Sequence, residues 1–153
     1  MTLLEIVIVS VVLGVLLVSS LPRFSQTAER LRVERGAAEL AQLFRYAHAR
    51  SIAEGKTVLW RWDESSRQIQ LSTLTLDGTE TPLSDRFKST HPLDALAEFE
   101  LSDGEEPIDE GRFFPDGTAE RATARLAYRQ IVYTVQVDDA TGQISYTKGT
   151  ADH

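Results

Sequence analysis

Residues 1–24 read MTLLEIVIVSVVLGVLLVSSLPRF, and the reading of this stretch decides the fold. Glu5 stands alone among apolar residues, and no further charge appears until Arg23. A membrane helix needs ~20 mostly apolar residues, at ~1.5 Å each, to cross a ~30 Å hydrocarbon core. Residues 1–22 meet that length. A cleavable secretory signal would show a basic start, a shorter apolar run and an Ala-x-Ala-like cleavage site. Here Met1 leads straight into the apolar run, so the segment either inserts without a basic anchor or has lost one. An acidic residue at the centre of a membrane helix costs ~2.5–3.5 kcal/mol, less near the interface, and such groups generally have a partner. The nearest positive group to Glu5 is the α-amino group of Met1, one helical turn away. In the alternative reading Glu5 sits among headgroups and pairs with nothing.

Working outward, the rest of the chain is a modest acidic body. The 153 residues carry a formal charge of −7, of which only Glu5 lies in residues 1–22, so the remainder carries −6. About 130 residues are enough for one core. An acidic body repels phosphate backbones, which disfavours nucleic acid as a partner. With no cysteine, disulfide scaffolds, thiol catalysis and Cys-based zinc sites are excluded.

Pro22 removes a backbone donor and is expected to kink the helix. Beyond it, Arg23, Arg30, Arg32 and Arg35, with Glu29 and Glu34, read as a solvated helical surface; contact with lipid headgroups is the other reading. In GAAELAQLFRYAHARSIAEGK, Leu40, Leu43, Phe44 and Ala47 keep the spacing of an amphipathic helix, with Ser51 one turn on. Gly55 followed by Lys56 ends it. The pattern predicts a helix over about 2–54 whose second half packs on a sheet. TVLWRWD and RQIQLST then alternate as two strands around a turn at 63–66. Trp60 and Trp62 share a strand face and read as core. Residues 77–111 are polar and acidic and read as a long surface loop with a short strand near 97–101. A short strand and turn follow in GRFFPDGTA. ARLAYRQIVYTVQVD reads as one strong strand, DDATG as a turn, QISYT as the closing strand, and TKGTADH as a frayed end.

No catalytic constellation stands out. His48, His91 and His153 are scattered, and His48 reads as a surface or satisfied partly buried residue. Asp103, Glu105, Glu106, Asp109 and Glu110 raise the question of Ca²⁺, but they lack the ligand alternation of a dedicated loop and read as a solvated acidic loop. The expectation is a non-enzyme with no metal and no cofactor. Ser10 and Gly14 form a small-xxx-small pair through which helices can approach.

The opening resembles the mature N-terminus of a type IV pilin or pseudopilin, a pattern of N-methylated Phe or Met, Thr-Leu-x-Glu, and an apolar helix with Pro at position 22. The matching positions are Met1, Thr2, Leu3, Glu5 and Pro22. AAELAQLFRYAHARSIAEGKTVLWRWD, FFPDGTA and YTVQVDDATGQISY resemble the GspH/FimT branch of minor pseudopilins and minor pilins. The resemblance covers nearly the whole chain outside 77–111. It implies an α+β pilin-like fold, a long N-terminal helix packed on antiparallel β-sheet, divided into a membrane and filament-core helix (1–22), an amphipathic helix (23–55) and a β-rich periplasmic domain (56–153). It implies processing and methylation at Met1 after a prepilin peptidase removes a basic leader. It gives Glu5 the role of setting subunit register, by offsetting the amino terminus of a neighbour. It further implies a structural subunit at or near the tip of the type II secretion pseudopilus, which initiates assembly for the export of folded proteins. Its partners would be other minor and major pseudopilins, the inner-membrane assembly platform and membrane lipid. The location would be the bacterial inner membrane, single-pass, with the C-terminal domain in the periplasm. The runner-up is a FimT-like minor pilin with a ligand- or DNA-binding role in transformation. The acidic body and the lack of a basic, aromatic-interleaved tail argue against DNA.

Overall fold

Thr2 starts the helix for a local reason. The Glu5 amide donates to the Thr2 carbonyl at 3.0 Å and lies 3.4 Å from Thr2 Oγ1, so Thr2 caps the first turn. Thr-x-x-Glu is the order of a capping box, with an acidic residue near the positive end of the helix dipole. In the computed structural model, which describes residues 2–150 apart from 76, 85–88 and 91, and the side chains of all of these but 17–26, the helix α1 spans Leu3–Glu54. It ends where Gly55 adopts a left-handed φ of 63°, and the Lys56 amide reaches back to the Ser51 carbonyl at 3.2 Å. That is the geometry glycine provides at a helix C-terminus. The chain divides into two compact units, Met1–Arg32 and Val33–His153.

The second unit holds the core. Eight strands follow α1: β1 (Thr57–Asp63), β2 (Gln68–Leu74), β3 (Glu80–Pro82), β4 (Glu98–Ser102), β5 (Glu110–Phe113), β6 (Ala122–Tyr128), β7 (Ile131–Val137) and β8 (Ile144–Thr150). They form two four-stranded antiparallel sheets, in the orders β3-β2-β1-β5 and β4-β6-β7-β8. Within this unit α1 buries Val33, Ala37, Leu40, Ala41, Leu43, Phe44, Ala47 and Ser51. Phe44 packs on Trp60 and Phe113 of the first sheet, with ring centroids 5.2 and 6.0 Å apart. On the second sheet, the Tyr133 hydroxyl donates to Glu34 Oε2 at 3.1 Å. The helix therefore rests on both sheets, an α+β arrangement in which the alternating strand faces and the helical stripe share one core.

The sequence and the structure differ at three places. Residues 77–111 are not one loop with a single short strand. They contribute β3, β4 and the start of β5, and they bury Leu83, Leu93, Ala97 and Leu101. β3 is a three-residue edge, Glu-Thr-Pro, exposed at each position, so it carries no apolar alternation to read. ARLAYRQIVYTVQVD is a hairpin rather than one strand. β6 and β7 pair with Tyr128 opposite Ile131, leaving Arg129 and Gln130 as the turn, and Arg129 takes φ 55°. A turn made without Gly, Asn or Asp gives no compositional signal. Finally, the expected frayed end is β8 as far as Thr150, because Thr147–Thr150 complete the ladder with β7.

Candidate functional site

The first unit presents the feature that calls for a partner. Every large apolar side chain from Leu3 to Leu16 is at least 50% exposed, with Leu3 at 84%. Soluble monomers rarely show an apolar surface of this extent, and one that large marks a partner or lipid contact. Glu5 lies in the first turn, exposed, with no ion-pair partner among the described residues. Ser10 returns its hydroxyl to the Ile6 carbonyl at 2.8 Å, so its polar group is satisfied within the helix. An added Cβ at Gly14 would meet nothing within 4 Å. Ser10 and Gly14 thus leave one shallow stripe along the helix, four residues apart. Among the described residues no helix is long and apolar enough to cross a membrane, and the side chains described in the apolar run stop at Leu16. Met1 lies outside the described residues. Pro22 lies within α1, and the kink expected there falls where side chains are not described.

The capping role of Thr2 was missed by sequence reasoning that considered Glu5 only as a charge in lipid. The Thr-x-x-Glu spacing ahead of an apolar run was the available signal.

In the body, polar groups at the end of α1 are consumed by structure. His48 Nε2 lies 2.9 Å from the Gly117 carbonyl, and its ring packs on Phe113 at 5.8 Å. The buried Ser51 hydroxyl lies 2.8 Å from the His48 carbonyl and 3.1 Å from that of Phe114. A Cβ on Gly142 would lie 2.2 Å from His48 Nε2, so the DDATG turn needs glycine for close approach as well as for its φ of 61°. The FFPDGTA turn is therefore fastened to the helix end, the DDATG turn packs closely on His48, and His48 is a structural link. His91 and His153 lie outside the described residues.

The aspartates behave likewise. Asp103 accepts the amides of Glu105 and Glu106 at 2.9 and 2.8 Å, closing its own turn. Those amide bonds, Glu106 foremost, hold its carboxyl below the usual carboxylate range. Asp63, Asp116 and Asp138 are lowered chiefly by the hydroxyls of Ser65, Thr118 and Thr141, and Asp77 by the Thr79 amide. Glu110 is held by Arg61 at 2.9 Å. Among the described residues no group of three His, Asp or Glu side chains is placed to hold a metal ion. Arg30, Arg32 and Arg35 are exposed on α1; the Arg23 side chain is not among those described.

A long helix resting on two antiparallel sheets defines the class of fold, an α+β pilin-like fold. Comparison with solved structures supplies the particular likenesses. The minor pseudopilin EpsH from the type 2 secretion system of Vibrio cholerae superposes with a TM-score of 0.63 at 15% identity, over 76% of this chain and 96% of that one. The type IV minor pilin FimU of Pseudomonas aeruginosa does so with a TM-score of 0.60 at 11% identity, over 79% of this chain and 92% of that one. At such identities the likeness is one of fold. No family model matches the sequence, and neither does any curated protein.

Proposed function

We propose that this chain is a minor pseudopilin, a structural subunit at or near the tip of a type II secretion pseudopilus. The observation that carries the proposal is the exposed apolar stretch of α1, opened by a single carboxylate, on a chain whose body has a pilin-like fold. On this reading the helix is held first in the inner membrane as a single pass, with the body in the periplasm, and later packs beside other pseudopilins. Prepilin peptidase, the assembly platform and membrane lipid are its further partners, Met1 is the processed and methylated residue, and the role is non-enzymatic. Pro22 supplies the bend between lipid-facing and solvated parts of the helix, and the Ser10–Gly14 stripe supplies close helix approach.

In a dry helix bundle an unpaired carboxylate and an unpaired ammonium are both costly, and pairing them offsets much of both penalties. Glu5 therefore sets axial register by meeting the amino terminus of a neighbour. Glu5→Ala is expected to leave the body folded and to reduce crosslinking to the other minor subunits several-fold; undiminished crosslinking would remove Glu5 from assembly. N-terminal mass spectrometry of the protein from its native membrane tests the processing and methylation of Met1.

A FimT-like minor pilin is the second reading, favoured by the likeness to FimU. The body charge of −6 weighs against the DNA-binding form of it. A deletion strain separates the two: lost secretion with twitching and DNA uptake intact supports the pseudopilin, and the reverse phenotype overturns it.

A further inference from the structure

Near one end of β1 and β4 the two sheets leave a groove of about 500 Å³. Its apolar lining includes Trp62, Phe99 and Ile108, all half-buried, and the Trp62 and Phe99 rings lie 4.3 Å apart. Glu64, Glu100, Glu105 and Asp109 also line it. These four differ from five acids found elsewhere on the body. Glu54, Glu80, Glu110, Glu120 and Asp139 each pair with an arginine. None of the four groove carboxylates has an ion-pair partner among the described residues. Among the described residues Arg125 is the single cation lining the groove, directly opposite Glu100 across β4 and β6, which leaves the other three acids in excess. Arg61, the next cation along β1, is already engaged by Glu110 and Glu80.

An aromatic face attracts a cation through its quadrupole, tryptophan most strongly, and nearby carboxylates add to the attraction. An apolar floor with an uncompensated acidic rim suits a side chain with an alkyl stem and a positive head. We propose that this groove docks an arginine- or lysine-bearing segment of another polypeptide, the basic side chain lying against Trp62 with its charge among Glu64, Glu105 and Asp109. The site belongs to the body alone, so its failure would leave the helix-mediated assembly role standing.

The test uses the full-length ¹⁵N-labelled chain in zwitterionic micelles, with the Trp62 indole resonance assigned through Trp62→Phe. The probe is a capped Gly-Arg-Gly-Arg-Gly peptide, and its counterpart carries glutamine for arginine. The arginine peptide is expected to shift the Trp62 indole saturably while the glutamine peptide does not, and the affinity is expected to fall with added salt. Glu64→Gln with Asp109→Asn, both exposed positions, is expected to weaken binding about tenfold, within the range for close charge pairs. Glu39→Gln with Glu120→Gln, which removes the same amount of negative charge, is expected to leave it unchanged. The proposal is overturned by an unmoved Trp62 resonance, by equal shifts from the two peptides, or by equal losses in the two double variants.

Discussion

Gly111 lies opposite Trp60 in the β1–β5 pairing, and a Cβ there would fall 2.5 Å from Trp60 Cζ2. Trp60 is fully buried and packed on Phe44, so its indole has nowhere to withdraw. Gly111→Ala is therefore expected to destabilise the body by about 1–3 kcal/mol, the range for overpacking a filled core. Chemical denaturation of the variant checks this, and an unchanged midpoint would show that the indole can move. Arg67 shows a different residue-scale constraint. It adopts φ 52°, yet it is not glycine, because its guanidinium donates to the carbonyls of Leu93, Asp94 and Ala97 at 3.0–3.2 Å. Charge-assisted bonds of this kind contribute about 1.5–3 kcal/mol and outweigh the strain of a left-handed residue. One side chain thus holds the 93–97 segment against the β1–β2 hairpin.

At the scale of elements, the turns are built on aspartates. Asp63, Asp77, Asp103, Asp116 and Asp138 each accept bonds from residues two or three positions on. Each has its pKa lowered in the folded chain. A carboxyl lowered on folding stabilises the native state above its unfolded pKa, and that stabilisation is lost as pH falls through the folded value. The body is thus expected to keep a flat melting temperature from neutral pH down to about pH 4, the ordinary carboxylate value, and to lose stability below it. Asp116→Asn, at the turn fastened to the end of α1, should lower the neutral-pH melting temperature and shrink the acid-dependent drop. Circular dichroism melts across pH check both, and a drop of unchanged size in the variant would exclude Asp116 as a contributor. The β6–β7 hairpin also belongs to this scale. Its Arg129–Gln130 turn has no turn composition, but the regular alternation of buried positions changes phase across it, from Ala122, Ala124, Leu126 and Tyr128 to Tyr133, Val135 and Val137, with Val132 buried beside them. A shift from even to odd is the trace a reversal leaves in alternation, because strand side chains have a period of two.

For the molecule as a whole, the core among the described residues begins at Val33, and the others buried with it lie later in the chain. A chain starting at Thr27 is therefore expected to fold, to run as a monomer in detergent-free buffer and to melt cooperatively. Size-exclusion chromatography and calorimetry check this; aggregation or a broad non-cooperative melt would mean that the apolar stretch supports the body. The long helix, its stop at Gly55 and the first hairpin were legible, because periodicity and glycine chemistry are local properties. So was the lone Glu5, a charge that stands out against its neighbours without any coordinates. The pairing of strands into two sheets, the strands within 77–111, the fastening of His48 and Ser51 to the distant FFPDGTA turn, and the groove between Trp62 and Phe99 were decided by tertiary structure. Each joins residues far apart in the chain, and such contacts form only when burying a shared core outweighs the entropy of bringing the segments together.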